Sequence, residues 1–299
     1  MTAALPIVHK KRLCLFRNPA VYEEIHSLNA EHDCQRIVHL LACHEFAFDI
    51  TRCLELALFH TYGSTSISRL LDKTSEFQRV GQKRYDDTRL LISHFLEEGY
   101  DSPYGQRAIA QMNSTHGHFA IPNDDFLFVL STFISYPFNW LDHFGYRPMS
   151  AHEKKAWFTF FRHVGIRMNI QNIPETWEAY QAWVDTYENT YLVYTESNRN
   201  VANATVGIFK AWFPKPLDRL VEPAVRVLIS DKLRQAFGYK APSPSFAALI
   251  HAALSIRKRL KRSIHIERQP KLIANTRNRT YPGNAYTIEG IAPTYLKDR

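Results

Sequence analysis

"DCQRIVHLLACHEFAFDITRCLELALFHTY", residues 33 to 62, places apolar side chains at 37, 40, 41, 46, 50, 53, 54 and 57. Such spacing follows a helix of about 3.6 residues per turn, not the alternation of a half-buried strand. It predicts one slightly bent helix, or two helices meeting near "HEFAFDI" (44–50). Helical periodicity recurs downstream, no alternating pattern runs beyond a few residues, and no internal repeat is found. The expected fold is all-α, a single large helical domain.

Local chemistry sets further boundaries. Pro19 suits the first turn of a short helix over 19–30. Ser64 or Ser66 caps the helix of "SISRLL". Two long polar-faced helices follow over 83–98 and 103–115, divided by "EEGYDSP", with Gly99 as stop and Ser102-Pro103 as start. An apolar helix is expected over 124–136, with Asp124 and Asp125 at its positive end and Pro137 closing it. Ser150 and Glu153 have capping-box spacing. Further helices are expected near 175–192, 196–212, 217–229 and 245–262. The reading divides the chain into an N-terminal lead-in (1–34), a helical domain (35–262) and a basic, largely irregular tail (263–299).

With 299 residues, 45% hydrophobic and 13% aromatic, the chain can bury a substantial core. Its net charge of +8 is partly concentrated in "RKRLKR" (257–262) and in the C-terminal stretch. Basic charge of this kind is either a solvated face or a contact for an anionic partner. Cysteines at 14, 34, 43 and 53 form no CxxC, so neither a zinc knuckle nor covalent haem attachment is signalled. They read as small hydrophobes in a reducing compartment. The N-terminus lacks the apolar core of a signal peptide, and the most apolar run, "FLFVLSTFI" (126–134), has nine residues where a membrane span needs about 20. A cytoplasmic protein is expected, with peripheral membrane contact left open.

One constellation invites a chemical reading. In "KRYDDT" (83–88), Arg84 and Thr88 stand four apart and share a helical face, with Asp87 near that face and Asp86 turned away. His116 follows in "MNSTHGHF". These groups are either ordinary packing polarity or two sides of a cofactor pocket. There is no HExxH, His39 and His44 are five apart, and His116 and His118 are two apart, so none of these pairs suits one ion on a helix. A single axial histidine can nevertheless hold haem, whose porphyrin supplies four ligands. The adjacent acids Asp86-Asp87, Glu97-Glu98 and Asp124-Asp125 diverge on a helix. No phosphate-binding glycine loop or nucleophile motif is present.

Taken in order, "HEFAFDITRCLELALFHTYGSTSISRLLDKTSEF", "KRYDDT", "MNSTHGHFAIPNDDFLFVLSTFI", "FNWLDHFGYRPMSAHEK" and "YTESNRNVANAT" resemble the MpaB-type oxygenase family, which includes the rubber oxygenases or latex-clearing proteins. The resemblance runs from about 35 to 240, and more loosely through "TYPGNAYTIEGI". It implies an all-helical domain enclosing a b-type haem (iron), with His116 as axial ligand and His118 as runner-up. It also implies that Arg84 and Thr88 lie on or near the opposite side, binding the cofactor and acting in catalysis. A fixed guanidinium stabilises negative charge developing on oxygen, and a threonine hydroxyl can donate a hydrogen bond or relay a proton. Alternatively Arg84 pairs with Asp87, Glu97 or a haem propionate. Two departures separate this chain from the rubber-cleaving branch. Asp87 stands where that branch has lysine before the threonine, and no glutamate occurs among residues 65–68, although Asp72 and Glu76 are near.

The resulting expectation is a haem-dependent oxygenase acting with O2 on an apolar, unsaturated substrate of prenyl or terpenoid type. Phe126, Phe128, Phe133 and Trp140 either line its pocket or form bulk core. A haem-dependent peroxidase or dehydrogenase-like oxidation is a second enzymatic reading. The rival from another class is a non-enzymatic helical module docking on anionic membrane through the basic amphipathic stretch "LIHAALSIRKRLKR" (249–262). No nucleic-acid-binding signature is present, so no such partner is expected.

Overall fold

A computed structural model describes residues 19–264 and 270–294, and the α-helices among them follow one another in chain order. They are α1 (Ala20–Ser27), α2 (Cys34–His39), α3 (Ala47–Thr61), α4 (Thr65–Thr74), α5 (Glu76–Glu98), α6 (Pro103–His116) and α7 (Asn123–Phe144). Then come α8 (Ala151–Arg167), α9 (Trp177–Tyr191), α10 (Glu196–Lys210), α11 (Lys215–Leu228), α12 (Asp231–Ala236) and α13 (Pro244–Ser263). No strand occurs among the described residues, and the fold is all-α. Cys14, the beginning of the lead-in, and the basic residues Arg268, Lys297 and Arg299 lie outside the described residues.

The stretch at 33–62 is two helices. A π-helical turn, Leu40–Glu45, follows α2, and Phe46 leaves helical geometry (φ −124, ψ 28) before α3 begins. The break therefore falls inside "HEFAFDI". Ser150 and Glu153 make the expected capping box at the start of α8.

Three boundaries differ from the sequence expectation. The helix expected to end at Pro137 continues to Phe144. Pro137 has no N–H to offer the Phe133 carbonyl one turn back. The indole Nε1 of Trp157 on α8 donates to that carbonyl at 3.1 Å, supplying a donor from the neighbouring helix. Helix α5 begins at Glu76 instead of 83, with non-helical Val80 (φ −137, ψ 37) marking a kink between its two parts. Six-residue α12 was not foreseen, being too short to display a period.

Packing follows the apolar stripes: α3 lies along α7, α2 against α8, and α5 against α6 and α10. Phe59, Phe128, Trp157, Phe160, Phe161, Tyr180 and Phe237 are fully buried at the centre. Burying a phenylalanine of this kind contributes roughly 1.5–3 kcal/mol. Cys34, Cys43 and Cys53 are buried unpaired thiols, and burial raises the pKa of each.

Residues 270–294 have little regular structure but are not a loose appendage. Residues 278–294 form a strap across α5 and α6. The Thr280 N–H and hydroxyl donate to Asp86 at 3.0 and 2.6 Å, and the Tyr281 hydroxyl donates to Asp87 at 2.7 Å. Lys83 Nζ donates to the Ala292 carbonyl at 2.7 Å, and Gln111 to that of Ile291 at 2.7 Å. Ile288 and Ile291 enter a small separate core with Leu90, Leu91 and Ala108.

The basic run at 257–262 is also spent largely inside the molecule. Arg257 grips the fully buried Asp49 through two contacts of 2.9 Å, and Lys261 lies buried 3.9 Å from the same carboxylate. Lys258 donates to the His143 carbonyl and Arg262 to that of Tyr146, each at 2.9 Å. Arg259 remains exposed. The run that the sequence left as either a solvated face or a docking cluster largely ties α13 to α3 and to the end of α7. Burying Asp49 requires such partners, because an unpaired carboxylate there would cost several kcal/mol.

Candidate active site

Helix α5 carries two stripes of opposite purpose. Phe77, Arg84, Thr88, Ile92 and Phe95 recur at helical spacing and line a cavity. Lys83, Asp86, Asp87, Leu90, Leu91 and His94 recur one residue out of phase and meet the strap. Asp87 was expected near the Arg84 face. It pairs instead with Lys83 and accepts from Tyr281, so it belongs to the strap stripe with Asp86.

The cavity holds about 220 Å³ and is walled by residues of α3 to α8. That is far beyond the room needed for one water. Its lining is mainly apolar, including Leu58, Ile67, Phe126, Val129 and Phe133. Against this background, Arg84, Thr88, His116, Glu76 and Asp125 reach the same space. Phe126 and Phe133 line it, one of the two roles that the sequence left open for them. Phe128 is core, stacked on Tyr187 at 4.4 Å, and Trp140 donates to Asp49 and borders a different groove.

His116 ends α6, with its ring centroid 5.3 Å from that of Phe126. Its Nδ1 is buried and has no hydrogen-bond partner among the described residues. Burial, and then the Arg84 guanidinium, hold its pKa down to about 4. A helix C-terminus favours imidazolium, but desolvation outweighs that preference here. The ring is consequently neutral at pH 7, the form that binds a metal. His118 is exposed, engages the Ser114 carbonyl at 2.8 Å, and does not line the cavity. Among the described residues no three His, Cys, Asp or Glu side chains cluster to hold an ion, so His116 faces the cavity as a lone imidazole.

Arg84 has no ion-pair or hydrogen-bond partner among the described residues. Asp87 is taken by Lys83 and Tyr281, and Glu97 accepts the N–H of Ile273. Neither carboxylate neutralises Arg84. The Thr88 hydroxyl likewise has no described partner. A cavity-lining histidine with an orphaned ring nitrogen, together with an uncompensated guanidinium and a hydroxyl on the same apolar cavity, fits an anionic, metal-bearing, largely apolar group such as haem. His116 would hold its iron, and Arg84 would meet negative charge either on a propionate or at the reacting oxygen.

Two carboxylates that the sequence reading named but did not place in the pocket line it. Glu76 accepts from the Thr294 hydroxyl and from its N–H at 3.3 Å, beside Pro293, which also lines the cavity. Asp125 does not merely sit at the head of α7. It accepts from Ser66 at 2.6 Å and Tyr187 at 2.5 Å, while Tyr187 shares a further hydrogen bond with Ser64. The hydroxyls of Ser64 and Ser66 are thus turned to this network instead of capping α4. Both acids were hidden because their partners lie far away in sequence; only the polar residues within the apolar 124–136 pattern hinted at Asp125.

Residues 105–257 match the family model described as the ER-bound oxygenase mpaB/B'/rubber oxygenase catalytic domain. The chain is 31% identical over 235 residues to the ER-bound oxygenase mpaB' of Penicillium brevicompactum, a match covering 72% of this chain and 55% of that protein. It is 31% identical over 216 residues to the ER-bound oxygenase mpaB of Penicillium roqueforti, covering 65% and 72% respectively. The chain belongs to the MpaB/rubber oxygenase family. It spans little more than half the length of the P. brevicompactum relative. His116 falls within the span matched by the family model, whereas Arg84 and Thr88 precede it.

Proposed function

We propose that this protein is a haem-dependent oxygenase that acts on an apolar, unsaturated substrate. The observation that carries the reading is the meeting of an unpartnered His116 nitrogen and an uncompensated Arg84 across a mainly apolar cavity. Membership in a family whose named relatives are oxygenases supports the reaction class. When bound, a b-type haem would supply the redox chemistry that activates dioxygen. His116, neutral at pH 7, would hold its iron. Arg84 would offer a fixed positive charge to an anionic group in the cavity, an interaction stronger in a dry pocket than in water. Thr88, one turn along α5, donates a hydrogen bond at the same end. The aromatic and aliphatic lining takes up a hydrocarbon chain and excludes water.

The test is spectroscopic. Full-length protein is expressed with haem available and its near-ultraviolet band and stoichiometry are measured. The wild type is expected to bind one haem, His116→Ala to lose it or shift its band, and His118→Ala to retain it. Protein that stays colourless after haem addition overturns the reading. The opposite behaviour of the two histidine variants moves the ligand to His118.

A further inference from the structure

The search outside the cavity leads to α11 and α13, which pack against each other and contribute nothing to the cavity wall. Helix α13 buries no apolar side chain. Leu249 (62% exposed), Ile256 (57%) and Leu260 follow each other at intervals of seven and four, so they form one outward stripe, with exposed Ala252 and Ala253 between. On the other helix, exposed Leu217 and Leu220, with Phe213 just before it, rim an apolar groove of about 340 Å³. Phe48 joins the two surfaces. The Arg257 guanidinium of α13 lies 4.2 Å from its ring, and Arg52, which borders the groove, lies 5.8 Å away.

The rim of this surface is positive. Lys215, Arg219 and Arg259 are exposed, and none has an ion-pair partner among the described residues. The pair of helices carries two acids within 215–228, Asp218 and Glu222, and Glu222 is held by Lys210 and Arg226. A second copy seated here by a two-fold would bring like charges together. An anionic lipid surface would satisfy both the cations and the apolar stripe.

We infer that α11 and α13 form a platform that docks on anionic phospholipid, with the leucine and isoleucine side chains entering the acyl boundary and Lys215, Arg219 and Arg259 meeting headgroups. This goes beyond the proposed chemistry and does not depend on it. It also shifts membrane contact from the 257–262 run as a whole to an apolar surface whose cationic rim keeps Arg259 alone of that run.

Full-length protein is mixed with phosphatidylcholine vesicles, with and without phosphatidylserine, and sedimented at low and high salt. The wild type is expected to bind the anionic vesicles and to release steeply as salt rises. Leu217→Ser/Leu220→Ser and Ile256→Ser/Leu260→Ser each weaken binding about tenfold or more. These side chains are already exposed, so circular dichroism and melting stay unchanged. The triple variant Lys215→Gln/Arg219→Gln/Arg259→Gln flattens the salt dependence, whereas Ile166→Ser, an exposed apolar position on α8, binds as wild type. Failure of the wild type to bind anionic vesicles at low salt overturns the inference. So does full binding by both serine pairs, or a dimer in sedimentation velocity that the Ile256→Ser/Leu260→Ser variant dissolves.

Discussion

The Tyr281 hydroxyl donates to Asp87 across 2.7 Å, and that contact fastens the strap to the helix whose adjacent face carries Arg84 and Thr88. Holding Asp87 on the strap side keeps it from neutralising Arg84. The "KRYDDT" segment thus does two jobs at once: its acids and Lys83 hold distant chain, while Arg84 and Thr88 face the cavity.

Tyr281→Phe removes one hydrogen bond to a charged, buried acceptor that keeps its Lys83 partner. A loss of about 1–2 kcal/mol in unfolding free energy is expected. Asp86→Ala should cost more, because Thr280 loses the acceptor for both its N–H and its hydroxyl. Denaturant melts and hydrogen exchange check both variants, with faster exchange at 278–294 as the local signature. Unchanged exchange there would mean that the apolar anchors Ile288 and Ile291 hold the strap unaided.

Arg84→Leu and Thr88→Ala should keep the fold, since no described carboxylate loses a partner. Turnover of the haem-loaded enzyme should fall by about 10²- to 10³-fold, the usual effect of removing one preorganised polar contact to developing charge. Steady-state kinetics and thermal melts on the same samples decide the matter. A collapse of stability would make Arg84 a structural group, and unchanged turnover would remove both residues from the mechanism.

Glu97 provides a pH signature. Burial pushes its carboxyl from an ordinary 4.5 up to about 7, against the opposing N–H of Ile273. The folded protein therefore holds this proton more tightly than the unfolded chain does. The associated stability is fully present below pH 4.5 and is lost as pH rises through about 7. Glu97→Gln should flatten that decline, gaining about 1–2 kcal/mol over wild type at the alkaline end after allowance for partial exposure. Equal slopes for the two proteins in melts across this window would refute the assignment.

Trp157→Phe tests the continuation of α7 through Pro137. The variant keeps an aromatic ring in the core but leaves the Phe133 carbonyl without its 3.1 Å donor. A cost of about 1–3 kcal/mol is expected from the unpaired acceptor, together with the smaller ring. A change within about 0.5 kcal/mol would show that water or local bending satisfies the carbonyl instead.

Periodicity was enough to read helical structure across 33–62, and the Gly99 stop with the Ser102-Pro103 start was enough to place the helix expected at 103–115. It failed at Pro137, where the decisive donor comes from another helix, and at α12, which is too short. Arg84, Thr88 and His116 could be grouped by spacing and family resemblance, and the structure brings all three to one cavity. Glu76 and Asp125 could not be grouped so, since their neighbours Thr294 and Tyr187 are remote in sequence. The internal contacts of the basic run were illegible for a related reason: the partner of Arg257 and Lys261, Asp49, lies 208 residues before Arg257 in the chain.

Asp86 and Thr280 are separated by 194 residues. A ribosome adding about 5–20 residues per second needs roughly 10–40 s to make that interval. During synthesis, the outer side of α5 thus stands without its eventual covering while most of the helices that follow it are being made. Its carboxylates and lysine suit that wait, because water solvates them at little cost until the strap arrives. A seam built wholly from side chains like Leu90 and Leu91, which wait there beside the charges, would have spent those seconds as an adhesive surface, open to neighbouring chains.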